Sequence, residues 1–163
     1  MITKIGDYEL GQNIDTSSLK EVEVSYAELA GILKNDPSYM KNISERFFSA
    51  EDYKNCIKRD ICEKIYEGEN AQLLNVDWTT KILSKGDKIQ TIALYHEAKS
   101  KQEGESIFEK AFKYITENMG KHTKHPFFTK LFGWNGKEED ICLMKDTING
   151  KDCVMITFTK KND

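Results

Sequence analysis

Three histidines, four cysteines and a lysine-rich loop are the side chains in this 163-residue chain whose types invite chemistry. His122 and His125 lie within Gly120-Lys121-His122-Thr123-Lys124-His125-Pro126. A histidine pair at i, i+3 on a helix can share a metal, and three histidines make a catalytic zinc site, with His96 the third candidate here. This pair instead follows a helix stop and precedes a proline, with no Cys, Asp or Glu beside it to complete the ligand set. Together with Lys121 or Lys124, the histidines have the right types for acid, base and electrostatic stabiliser in RNA cleavage. No basic helix or aromatic platform accompanies them. The reading is solvated loop histidines, with no catalytic residue, no metal site and no cofactor assigned.

Cys56, Cys62, Cys142 and Cys153 raise the question of disulfides or metal. Cys56 and Cys62 are six apart on an expected helix, about 600° of rotation, so they point well away from each other. The other two fall in a hairpin centred on Asn149-Gly150. Opposed residues there have numbers summing to 299, so Cys142 faces Thr157 and Cys153 faces Asp146. The thiols share a sheet face without pairing. Four reduced, mostly buried cysteines is the expectation. No cysteine sits in a recognisable nucleophile signature, and no phosphate-cradling glycine loop or dinucleotide fingerprint occurs.

The elements that must position these groups follow from periodicity. Asn135-Gly136 and Asn149-Gly150 suit type I′ turns, whose two central residues need positive φ. They delimit a terminal meander over 127–134, 137–146 and 151–159. The 299 rule places Ile141 opposite Phe158, Leu143 opposite Ile156 and Lys145 opposite Val154. That face is apolar and is expected to receive a helix over 103–119. In this helix Ile107, Phe108, Ala111, Phe112, Ile115 and Met119 form one stripe, and Gly120 ends it. The other face, with Cys142, Met144, Cys153, Met155 and Thr157, is apolar enough to need a cover, either another chain segment or a partner.

Upstream, residues 4–14 read as an entry strand, Asp15–Ser18 as turn or cap, and Leu19–Val24 as a short strand. Helical patterns follow over 25–34 and 37–48. A third helix is capped by Ser49, carries Tyr53, Ile57, Ile61 and Ile65 every four residues, and stops at Gly68. Leu73–Thr80 and Lys88–Glu97 read as strands joined near Ser84–Asp87. The second is apolar on both faces and so is expected inside the sheet. Lys99–Glu105 reads as a polar loop open to nicking or insertion. Trp78 and Trp134 read as core residues.

Length and composition, with 39% hydrophobic and 31% charged residues, point to one well-packed domain spanning 1–163. Apolar runs reach only four or five residues, too short for a membrane-spanning helix. The N-terminus lacks the apolar stretch of a secretion signal, so a cytoplasmic location is expected. Charge is unevenly spread. Residues 1–80 hold 9 Lys+Arg and 15 Asp+Glu, giving −6, while residues 81–163 hold 15 and 12, giving +3. An acidic N-terminal half disfavours nucleic acid and suits a basic protein partner.

The order Ile5-Gly6-Asp7-Tyr8-Glu9-Leu10-Gly11, helix, paired strands, a helix ending Met119-Gly120, then Trp134 and a terminal hairpin resembles small bacterial α+β domains of the β-lactamase-inhibitor-protein-like type. The chain departs from that pattern in a long helical insertion between Leu33 and Gly68. The resemblance implies a binding role and transfers no catalytic residue.

The fold expected is therefore α+β: an antiparallel sheet of about five or six strands, packed by the 103–119 helix and by further N-terminal helices. The function expected is non-enzymatic protein binding. In concrete form it is a bacterial immunity or inhibitor protein that neutralises a basic, nuclease-like toxin. Asp60, Glu63, Glu67 and Glu69 are the candidate contacts on the exposed face and exit of the third helix. The alternatives are a small nuclease or hydrolase built on the His122/His125 loop, and a ligand-binding domain.

Overall fold

The computed structural model describes residues 4–21, 64–124, 130–148 and 150–161. The helices expected over 25–34 and 37–48 lie outside the described residues, as do residues 49–63 of the helix expected over 49–67, with Cys56 and Cys62. Asp60, Glu63 and His125 lie outside them too.

The described chain is a mixed α+β fold dominated by antiparallel sheet. A small hairpin, β1 (Lys4–Ile5) and β2 (Tyr8–Glu9), opens it, and β3 (Lys20–Glu21) and β4 (Lys64–Glu67) follow. Next come β5 (Ala71–Leu73), β6 (Val76–Lys85), β7 (Lys88–Glu97) and helix α1 (Lys101–Met119). The chain ends with β8 (Thr123–Lys124), β9 (Leu131–Asn135), β10 (Glu139–Ile148) and β11 (Lys151–Lys160). Nine of these strands form one sheet in the order β3-β4-β6-β7-β11-β10-β9-β8, with β5 pairing β6. The sheet is thus larger than the five or six strands expected, because short flanking segments add to it at both edges.

The β10–β11 register is the one that Asn149-Gly150 dictates: Ile141 pairs with Phe158, Leu143 with Ile156, Lys145 with Val154, Cys142 with Thr157 and Cys153 with Asp146. Gly150 has φ +78, as a tight hairpin requires. β7 lies between β6 and β11, inside the sheet as expected. Ile141, Leu143, Val154, Ile156 and Phe158 are at most 1% exposed and pack with Ile107, Phe108, Ala111 and Ile115 of α1. Trp78 and Trp134 are fully buried in the same cluster, as are Ile82, Ile92 and Leu94. Ile5 joins this cluster, with Tyr8 and Leu10 packed against it. The cysteine and methionine face is not bare: Cys153 and Met155 are buried, and Cys142 is half-buried and free of any disulfide.

Four expectations are corrected. First, residues 64–67 are strand β4, not the end of a helix. Ile65 and Tyr66 are both buried, on opposite faces of the sheet, which an extended β-branched and aromatic pair does well. Second, Leu73–Thr80 is not one strand. It folds back at Leu74 and Asn75, both at φ +58, so that Leu73 pairs with Val76. Two adjacent positive φ values make this the type I′ geometry, with a leucine where Asn or Gly is favoured. Likewise residues 4–14 divide into the β1–β2 hairpin around Gly6 (φ +57) and an irregular stretch. Third, Lys99–Glu105 is not a loop, because α1 begins at Lys101. Ser100 caps it, its side chain accepting from the Glu103 N–H at 3.1 Å, and Glu103 accepts from the Lys99 N–H at 2.9 Å. Ser100-Lys-Gln-Glu103 is a capping box in sequence terms.

Fourth, Asn135-Gly136 does not form the central pair of its turn. Asn135 pairs with Asp140, Gly136 N donates to Glu139 O at 2.9 Å, and the loop centres on Lys137-Glu138. Gly136 is required by space. A Cβ there would sit 2.7 Å from Glu139 O and 2.7 Å from Met119 Cε.

Candidate functional site

The two described histidines do not converge. His96 lies on β7, just before the N-terminus of α1, and His122 lies just after its C-terminus. A 19-residue helix, about 28 Å long, separates the two positions. Among the described residues no group of three or more His, Cys, Asp or Glu is placed to hold a metal ion.

His122 is half-buried in an aromatic cluster. Its ring centroid lies 4.9 Å from Phe112, 5.3 Å from Phe132 and 6.0 Å from Trp134. Edge-to-face packing of this kind holds the imidazole as an aromatic plug at the end of α1. Lys121 and Lys124 are exposed beside it. Two polar atoms of this region, Trp134 Nε1 and Thr116 Oγ1, are enclosed without a hydrogen-bond partner.

The other end of α1 is denser in polar contacts. His96 Nδ1 lies 2.9 Å from Asp77 O and its Nε2 lies 3.1 Å from Glu103 Oε1, while the ring meets Trp78 edge-on at 5.8 Å. The Glu103 carboxyl is held below the usual carboxylate range, first by the Lys99 N–H and then by His96. Two residues further, Glu105 accepts from Lys145 at 3.0 Å and from Lys130 at 3.3 Å, and Lys145 also reaches Asp152 at 3.6 Å. Burial disfavours the Lys145 ammonium, but Glu105 and Asp152 outweigh it and the group stays above the ordinary lysine range. Lys145 lies on the helix-bearing face, so its ion pairs pin α1 to the sheet.

The acidic candidates that can be placed lie at the β3–β4 edge. Glu67 ends β4, flanked in register by Lys20 of β3 and Lys81 of β6. Opposite charges directly across a ladder attract, so part of its field is met within the molecule. Glu69 is exposed just beyond. Its backbone N–H donates to Tyr8 Oη at 2.8 Å, and Tyr8 packs against Gly68, where a Cβ would sit 3.2 Å from the ring. The β1–β2 hairpin therefore fixes where Glu69 emerges.

A cleft of about 490 Å³ opens at the same edge, lined by Ile14, Thr16, Leu19, Glu21, Lys64, Tyr66, Gly86 and Asp87. Its wall is built by short-range devices. Asp15 caps the 3-10 turn Thr16–Ser18, accepting from Ser17 N at 3.1 Å and Ser17 Oγ at 2.6 Å, which holds its carboxyl below the usual range. Gly11, Gln12 and Ile14 lie along the start of β7: Gly11 N donates to Ile89 O, Ile89 N to Gln12 O, and Ile14 N to Asp87 O, at 2.8–2.9 Å. Gly86, at φ +61, turns β6 into β7 and presents Asp87. Sequence reasoning missed Glu21 and Asp87, because nothing local marks them; only sheet topology makes them neighbours.

Of the four predicted contacts, the structure places Glu67 and Glu69 at one sheet edge. By strand alternation Glu67 and Tyr66 point to opposite faces, so Glu67 does not line the cleft. Among the described residues no helix is long and apolar enough to cross a membrane. Comparison with protein-family models, with curated proteins and with solved structures finds no match to this chain.

Proposed function

We propose that this chain is a non-enzymatic protein-binding domain, and in its concrete form a cytoplasmic bacterial immunity or inhibitor protein for a basic, nuclease-like toxin. The observation that carries the reading is the β3–β4 edge. A polar cleft bearing Glu21 and Asp87 opens there, and Glu67 and Glu69 are exposed on the same edge. Among the described residues β3 is hydrogen-bonded on one side only, by β4, so the edge offers backbone groups as well as carboxylates. A partner strand or loop carrying Lys or Arg fits such an edge, its backbone joining the sheet and its cations meeting the acidic side chains. Both ends of α1 have a structural account, in the ion pairs that pin it and in the ring packing of His122. Among the described residues, the edge is where this reading puts recognition.

The test is a pull-down from the native organism with wild type, with Glu21→Lys/Asp87→Lys and with Glu67→Lys/Glu69→Lys. A single basic partner, released by salt and lost in the charge-reversed variants, supports the reading. No partner at any ionic strength, or one indifferent to both double variants, contradicts it.

A further inference from the structure

We infer that His96 is a proton-operated latch that closes the first turn of α1 onto the β6–β7 strand pair. Both ring nitrogens face oxygen atoms that can only accept: Asp77 O at 2.9 Å from Nδ1 and ionised Glu103 Oε1 at 3.1 Å from Nε2. A neutral imidazole has one N–H and one lone pair, so it satisfies one of these oxygens and directs its lone pair at the other. The imidazolium donates to both. The ring is also held in place: its side chain is 18% exposed, it packs on fully buried Trp78, and its strand pairs with Val154 of β11.

The charged groups around it come from every neighbouring element. From α1 and its lead-in there are Glu103, Lys99 and Lys101, with Glu103 already bound to the Lys99 N–H. From β6 there is Asp77, whose carbonyl is the acceptor and whose carboxylate is exposed. On β7 itself Glu97 is bound by Lys151 of β11 at 2.8 Å, and Asp152 of β11 is engaged by Lys145. Glu103 is therefore the carboxylate in direct contact with the ring.

The latch contributes stability while the ring carries both protons, and loses it as pH rises and one proton leaves. At the acid end it opens as Glu103 protonates, below the usual carboxylate range.

The experiment compares urea unfolding of wild type and His96→Asn from about pH 5.5 to pH 8, so that groups common to both proteins cancel in the difference. The ratio of the wild-type unfolding constant to that of the variant is expected to rise about three- to tenfold over this range. Glu103→Gln keeps an oxygen for the Lys99 N–H but removes the charge, and should flatten the rise. A ratio constant with pH overturns the inference, as does an unchanged rise in Glu103→Gln. Long-range nitrogen–proton NMR of the wild type tests it even if His96→Asn fails to fold. Two protonated ring nitrogens as the predominant form of His96 near pH 7, above the ordinary histidine value, support the latch, and a single neutral tautomer at that pH overturns it.

Discussion

Gly136→Ala separates the two reasons a turn glycine can be needed. At Gly136 the added methyl would lie 2.7 Å from Glu139 O and 2.7 Å from Met119 Cε. The Met119 terminus can swing aside. The Glu139 carbonyl cannot, because it accepts the hydrogen bond from Gly136 N at 2.9 Å that closes the β9–β10 loop. Relief therefore breaks or stretches that bond, costing about 0.5–1.5 kcal/mol, and shifts backbone against the end of α1, costing about 1–3 kcal/mol. The expected total is about 2–4 kcal/mol, read as a fall of about 1–2 M in the urea midpoint at a slope near 2 kcal/mol/M. Trp134, two residues away and fully buried, reports the transition by fluorescence. Gly86 is the control: its φ is +61 and a Cβ there meets nothing within 4 Å. Gly86→Asn should cost little, since Asn tolerates that conformation, whereas Gly136→Asn should be at least as damaging as Gly136→Ala. The reasoning is refuted if Gly136→Ala is within about 0.5 kcal/mol of wild type, or if Asn rescues position 136 as it does position 86.

Other outcomes follow from the same packing. Thr116→Val removes a buried hydroxyl that has no hydrogen-bond partner at nearly constant shape, and should stabilise by about 0.5–1 kcal/mol; a loss of more than 1 kcal/mol in the same urea titration would mean the hydroxyl is bonded. Phe108→Asp places a charge at a position 4% exposed between α1 and the sheet, and should abolish the folded state by circular dichroism. Cys153, at 0% exposure and bonded to Tyr95 Oη at 2.9 Å, should resist a thiol reagent until the protein unfolds, as measured on its own labelled peptide. The Glu105 carboxyl is lowered by Lys145 first and Lys130 second, so its contribution is present above the ordinary carboxylate range and lost as pH falls below it. Glu105→Gln should therefore make stability less acid-sensitive, a difference visible between about pH 5 and pH 2.5.

The sequence made the terminal hairpin legible because one Asn-Gly pair and strict alternation fix register together. A slip of one residue would turn Ile141, Leu143 and Phe158 out of the core. The helix stripe and both tryptophans were equally plain, since large apolar side chains at the right spacing leave few alternatives. The misreadings share a cause. Ile61 and Ile65 sit four apart with Gly68 beyond, a helical pattern that ignores the pairing of Ile65 with Leu83 and Tyr66 with Ile82. Leu74 carries no turn signal, yet it adopts φ +58 because Leu73 and Val76 must pair and bring Ala71 beside Trp78. Asn135-Gly136 carries the local signal of a turn's central pair, yet the atoms crowding Gly136 belong to Glu139 and Met119, one of them 17 residues away. The edge cleft was hidden for the same reason: Glu21, Lys64 and Asp87 become neighbours only through strand order.

The central proposal is that a protein partner is recognised at the β3–β4 edge. Its most direct measurement is hydrogen exchange on the complex with the captured partner, read peptide by peptide against the free protein. The account predicts new protection over Thr16–Glu21, Lys64–Glu69 and the Gly86-Asp87 turn, with the 121–124 segment unchanged. Protection confined to the His122 end of α1, with the β3–β4 edge exchanging as in the free protein, would contradict it.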